Sequence, residues 1–334
     1  MSKTLNCRTD SLVKPQNTKS CDDGLHILDY VYELFHTEDE DGALRAMETL
    51  VSSLEALKQN STFEDWNLFR DLCCHHPVSA LVLQDPLTAR SFRKPRGYAG
   101  DAKLLDFIYR HDDISFELSS ASDLGRSIYT YTYSAPAGNA VRERRTILTS
   151  LVDEAAVVED KIEVLAIAAG HLRESEKSKA LLNGRIGRWI ALDQDEGSIN
   201  LLNMTKISHC IQPLQGNVRG ILSRKYQLET FDLIYAAGLY DYLGTRVAAR
   251  LTETAFSMLK PGGTLLYANF AVGIPDAGYM ETFMDWQLIF RSEAEMMELS
   301  AGLPEHRIAQ LELFRGTNGN VIYVKIKKSV HGKG

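Results

Sequence analysis

Lys161-Ile162-Glu163-Val164-Leu165-Ala166-Ile167-Ala168-Ala169-Gly170-His171-Leu172-Arg173-Glu174-Ser175-Glu176 is the stretch that decides the fold. Ile162 to Ala168 is a short apolar run with β-branched residues, the pattern of a strand buried on both faces. Three small residues follow, Ala168-Ala169-Gly170. The polar segment His171 to Leu182 then reads as a helix with Glu174 and Glu176 in its first turn. Strand, tight turn and helix start form the opening unit of a nucleotide-binding α/β fold. The turn admits a ligand to the backbone, and the unpaired N–H groups of a helix start attract negative groups.

Downstream of this unit the chain alternates strand and helix. Strands are expected at Arg188–Leu192, His209–Leu214, Phe231–Ala236 and Thr264–Phe270. A helix over Thr245–Leu259 closes at Lys260-Pro261-Gly262-Gly263. After an insertion, Ala271 to Pro304, two further strands at Arg307–Phe314 and Asn320–Lys327 are joined by Gly316-Thr317-Asn318-Gly319, a hairpin signal. The expected fold is α/β: a mostly parallel Rossmann-like sheet with helices on both faces and a C-terminal antiparallel hairpin.

Upstream the pattern is helical. Residues 1–23 are polar and read as a flexible lead-in. Residues 24–155 read as a helical cap, and residues 156–328 as the ligand-binding sheet domain. Within the cap, Asp85 to Asp101 holds two prolines and two glycines and reads as a loop ending in Arg96-Gly97-Tyr98-Ala99-Gly100-Asp101. A cation, a phenol and a carboxylate so close together can close over a small charged ligand. Ile128-Tyr129-Thr130-Tyr131-Thr132-Tyr133-Ser134 alternates aromatic and hydroxyl residues. It fits a strand, a pocket wall or tyrosines packed on a neighbouring helix. Asn139 to Glu154 reads as a long helix with Arg142, Arg144 and Arg145 on its polar side. Cys73-Cys74-His75-His76 lacks the paired spacing of a zinc site and reads as a helix end before Pro77.

The 334 residues suffice for about two domains. A net charge of −7 argues against nucleic acid as a partner. No apolar run reaches the roughly 20 residues of a membrane span, and the N-terminus lacks a secretory apolar core, so the cytoplasm is the expected compartment. No metal is expected.

In such sheets ligands bind beyond the carboxyl ends of the strands. Strand one supplies Ala168 and Gly170, with Arg173 and Glu174 just after. Strand two supplies Asp193 and Gln194; a carboxylate about twenty residues past the glycine turn suits a ribose diol. A helix cap is the alternative for Asp193 and for Asp241. Strand three supplies Gly216, Asn217 and Val218, suited to an adenine. Strand four supplies Gly238, Tyr240 and Asp241, where a reacting group would lie. A dinucleotide would need three glycines in the first turn, and only one is present.

Taken together, VLAIAAG, IALDQD, QGNV, FDLIYAAGLYDYL, LKPGGTLLYANF and the hairpin resemble class I S-adenosylmethionine-dependent methyltransferases over roughly residues 160–328. HPVSALVLQDP, RKPRGYAGD, AAGHLRESE and YMETFMDWQLIFRS resemble, more narrowly, the bacterial methyltransferases that make 3-hydroxy fatty acid methyl esters. The resemblance implies S-adenosylmethionine as cofactor and a small-molecule acceptor, such as the carboxylate of a hydroxy fatty acid. N-, O- or S-methylation of another metabolite is the alternative within the class. A nicotinamide oxidoreductase and a non-catalytic binding module are the alternatives outside it. A homodimer is left open.

Two departures from the family pattern matter. Ala166 stands where an acidic residue is usual, and Ala168 where the first glycine is. The methionine amino group then needs another partner, Asp101 or Glu174, with Arg96 for its carboxylate and Tyr98 in the same loop. For the acceptor, Tyr240 and Asp241 are candidate catalytic groups. In the insertion, Phe283 and Trp286 are candidate walls and Arg291 a candidate carboxylate clamp.

Overall fold

Alternate residues of each central strand point to opposite faces, and here each face has its own core. A computed structural model of the chain describes residues 18–37 and 41–330. Seven strands form one sheet: β1 (Ile162–Ile167), β2 (Ile186–Asp193), β3 (Ile211–Gln215), β4 (Phe231–Ala236), β5 (Leu259–Phe270), β6 (Ile308–Arg315) and β7 (Val321–Lys328). Their order is β3-β2-β1-β4-β5-β7-β6. The first five are parallel; β7 runs antiparallel to both β5 and β6. From β1 the chain moves outward to β3, then returns to β4 on the other side. The point of reversal lies between β1 and β4, where a crevice is expected at the strand ends.

Nine helices precede the sheet among the described residues: α1 (Thr18–Phe35), α2 (Gly42–Gln59), α3 (Phe63–His75), α4 (Val78–Val82), α5 (Pro86–Arg93), α6 (Ala102–Tyr109), α7 (Ser115–Ser119), α8 (Asp123–Ser134) and α9 (Pro136–Val158). Val164, Trp189, Leu233, Leu266 and Tyr323 on one sheet face share a continuous core with Met47, Phe107 and Val152 of these helices. Leu165, Ile190, Ile234, Leu265 and Val324 on the other face pack with the later helices. Those helices are α12 (Val218–Leu222), α13 (Thr245–Ser257) and α15 (Glu293–Glu298), whereas α10 (Lys179–Leu182), α11 (Glu196–Thr205) and α14 (Ala277–Thr282) add residues to the first core. Side chains buried on both sides explain the apolar runs of β1, β2 and β4, whereas the outer strands β3 and β6 are partly or largely exposed.

Several sequence expectations are corrected. Of the lead-in 1–23, residues 1–17 lie outside the described residues, while Thr18 onward is helical. The stretch after Asp85 is not all loop, because Asp85 accepts the N–H groups of Leu87 and Thr88 and starts α5. Ile128–Ser134 belongs to helix α8, with Tyr129 and Thr132 turned inward. No helix starts at His171: a 3₁₀ turn at Ser175–Lys177 and the four-residue α10 stand where a helix to Leu182 was expected. The reason is local geometry. Leu172 adopts φ 51°, a left-handed conformation that a continuing helix cannot contain. Strand β5 begins at Leu259, through the Lys-Pro-Gly-Gly that was read as a turn. In the insertion only α14 is helical before the chain runs without regular structure to Arg291.

A candidate ligand cavity at the strand ends

A cavity of about 260 Å³ opens beyond the carboxyl ends of β1, β2, β3 and β4. Its first half is made by backbone turns. Ala168 and Gly170 take φ 57° and 55°. Glycine adopts this conformation freely, whereas alanine is strained by roughly 1 kcal/mol or more. The Gly170 N–H donates to Asp193 Oδ2 at 2.7 Å, and the Asp195 N–H donates to Asp193 Oδ1 at 2.8 Å. Asp193 thus ties the turn after β1 to the turn after β2. Burial pushes its carboxyl upward, opposed by these two N–H groups. Two N–H bonds leave lone pairs on both oxygens for further donors. The helix cap at this strand end is Asp195, which accepts the Gly197 N–H. Gly216, Asn217 and Val218 line the next wall. The Asn217 side chain accepts the Gly220 N–H and caps α12.

A buried ionic joint fixes these turns to the N-terminal helices. Asp106 of α6 accepts from His171 Nδ1 at 2.8 Å and from Arg173 Nε at 2.8 Å. Burial alone would raise the Asp106 carboxyl; the hydrogen bonds from His171 and Arg173 outweigh it and bring it down to about 2. Arg173 also reaches Asp113 and Glu176.

The second half is built from side chains brought from distant parts of the chain. Glu174 accepts from the Tyr235 hydroxyl at 2.6 Å, and burial raises its carboxyl. Asp241 accepts the Phe270 N–H at 2.7 Å, and burial lifts it to about 6. Tyr98, Gly100 and Ala102 of the RGYAGD region form one edge, against Tyr242 and Trp286. Gly100 is needed for close approach: a Cβ there would lie 2.8 Å from the Trp286 ring and collide with the Tyr242 hydroxyl. Trp286 Nε1 donates to Tyr242 Oη at 2.7 Å. The insertion is held over the cavity through Glu281, which takes Lys58 Nζ at 2.7 Å and Trp66 Nε1 at 2.8 Å.

The cavity brings together Tyr98, Ala168, Gly170, Arg173, Glu174, Asp193, Gln194, Gly216, Asn217, Val218, Gly238 and Asp241 among the residues singled out in the sequence. Four others are engaged elsewhere. Asp101 pairs with Arg90 at 2.5 and 2.9 Å and caps α6 through the Leu104 N–H. Arg96 pairs with Asp195 at 2.5 Å. Tyr240 stacks on Tyr267 and bonds Thr252 within the opposite core. Arg291, 2% exposed, is bound to the Tyr240 carbonyl at 2.7 Å and to Asn269 Oδ1, stapling the ends of β4 and β5.

Sequence reasoning missed Arg144. It was placed on the polar side of its helix, yet it is 6% exposed and lines the cavity. The available signal was its spacing: Val141, Arg144, Leu148 and Leu151 fall on one buried face of α9. A cation on an apolar face marks either a buried pair or a binding site. Tyr109 and Tyr235 were missed as well, because their helix and strand read as plain core.

No protein-family model matches the chain, and no curated protein matches it. Among solved structures, a candidate exported protein from Bordetella parapertussis is 15% identical, with a TM-score of 0.54, over 95% of this chain and all of the other. A candidate methyltransferase from Thermobifida fusca is 13% identical, with a TM-score of 0.50, over 68% of this chain and 94% of the other. At these identities the likeness is one of fold: a seven-stranded, mostly parallel sheet with a C-terminal antiparallel pair, preceded by helices.

Proposed function

We propose that the chain is an S-adenosylmethionine-dependent methyltransferase acting on a small molecule, with the carboxylate of a hydroxy fatty acid or a related metabolite as acceptor. The observation that carries this reading is the Asp193 carboxylate. It is fixed by the Gly170 and Asp195 N–H groups at the mouth of the β1 turn and retains acceptor capacity toward the cavity. In this assignment Asp193 takes the ribose hydroxyls, Gly216 to Val218 flank the adenine, and Glu174 and Tyr98 lie toward the methionine end. The bound cofactor supplies a methyl group on a sulfonium, open to in-line displacement.

The chain's own part is to position the acceptor and exclude water. Trp286 and Tyr242 cover one side of the cavity. A carboxylate acceptor, with an ordinary pKa of about 4, is ionised at neutral pH and needs no base. An amine or hydroxyl acceptor would need one. Asp241 lines the cavity, and a carboxyl raised to about 6 is still mainly ionised at pH 7. Of the other candidates, Tyr240 is committed to the core.

Incubation with donor labelled in its methyl group, against a panel of hydroxy acids, amines and alcohols, tests the reading. Label is expected in an ester of an acid. Label in no product, together with binding of NAD, would contradict it.

A further inference from the structure

Helix α9 carries three arginines close together, and they have different fates. Arg142 lies 3.9 Å from the Tyr133 ring centre and donates to the Ile108 carbonyl. Arg145 lies 4.3 Å from the Tyr109 ring centre. Arg144 turns inward and is 6% exposed. Among the described residues its guanidinium makes no hydrogen bond and no ion pair, although it faces the cavity beside Gly238. An arginine stays charged at any physiological pH, and its five N–H donors have a fixed planar fork. A buried guanidinium whose N–H donors meet no acceptor leaves its hydrogen-bonding capacity unused, which marks a place where a ligand acceptor fits.

We infer that Arg144 binds a ligand carboxylate inside the cavity, an assignment that rests on reading the cavity as a methyltransferase site. A carboxylate suits it better than a phosphate. Glu174 and Asp241 both lie close enough to feel the Arg144 charge, and a second negative charge on the ligand would meet them. The fork matches a planar carboxylate through two parallel bonds. Two ligands could bring that group: the amino-acid end of the methyl donor, or the acceptor.

Calorimetry with three probes separates the sources. S-adenosylhomocysteine carries the donor carboxylate, 5′-methylthioadenosine lacks it, and decanoate added with S-adenosylhomocysteine reports the acceptor. Arg144→Met is expected to weaken one carboxylate probe tenfold or more and to leave methylthioadenosine within twofold. Loss on S-adenosylhomocysteine assigns the donor; loss on decanoate alone assigns the acceptor. Arg144→Lys, which keeps charge without the fork, should fall between. Unchanged affinity for both carboxylates would overturn the inference. A parent chain that binds none of the probes would overturn the methyltransferase reading as well.

Discussion

The two halves of the cavity are made in different ways. The half around Gly170, Asp193 and Asn217 is built from turns that directly follow strands, and its key bonds are backbone N–H groups to one carboxylate. The half around Arg144, Glu174, Asp241 and Trp286 is built from side chains on α9, the turn after β1, the turn after β4 and the insertion. The first half is local geometry repeated along the sheet. The second is tertiary assembly, and so is able to vary without disturbing the strands. A shared cofactor site and a variable acceptor site would be divided in this manner.

Asp106 is the joint between the turn after β1 and the N-terminal helices, and breaking it has the largest expected effect. Asp106→Asn leaves Arg173 with only the partly exposed Asp113 and Glu176 as charged partners, which costs up to about 3–5 kcal/mol. Urea unfolding should show that loss, and the ligand turn should loosen with it. A loss below 1 kcal/mol would mean that the helices and the turn after β1 are held together by apolar packing alone.

A smaller effect distinguishes the second half by pH. Asp241 is raised from 3.8 to about 6, so the native state holds its proton more tightly than the unfolded chain. Stability from this source is complete below about pH 4 and is lost as pH rises through 6. The parent should lose on the order of 1–3 kcal/mol across that window relative to Asp241→Asn, whose amide keeps an acceptor for the Phe270 N–H. Parallel pH profiles for the two proteins would place the Asp241 carboxylate in a wetter setting than its 3% exposure suggests.

The least effect belongs to the first half. Ala168 sits at φ 57°, where glycine is at ease. Ala168→Gly should stabilise the chain by up to about 1 kcal/mol, read as a small rise in melting temperature. A fall would mean that the Ala168 methyl group contributes packing that outweighs its backbone strain.

The same division explains what could be read from the sequence. Burial on both faces makes the apolar runs of β1, β2 and β4 visible, while the edge strands β3 and β6 were placed by the turns beside them, and β5 starts at Leu259 rather than at the expected Thr264. Asp193 and Gly170 were found because their positions follow from where strands stop. Arg96, Asp101, Tyr240 and Arg291 were chosen for their chemistry, but chemistry does not say which partner a charge meets. Arg90 and Asp195 hold two of them, and backbone carbonyls or the opposite core hold the others. Arg144 was passed over because a helix with three arginines looks solvated until its apolar face is traced. The expected helix after Gly170 failed at Leu172, whose backbone conformation no residue pattern announces.

Titration of the parent chain and of Asp193→Asn with S-adenosylhomocysteine tests the central claim most directly. The account predicts one-to-one binding by the parent and at least a tenfold loss in the variant, as removal of a charged hydrogen-bond acceptor worth roughly 1.5–3 kcal/mol requires. Equal affinities in the two proteins, or binding of NAD in place of the adenosyl ligand, would contradict it.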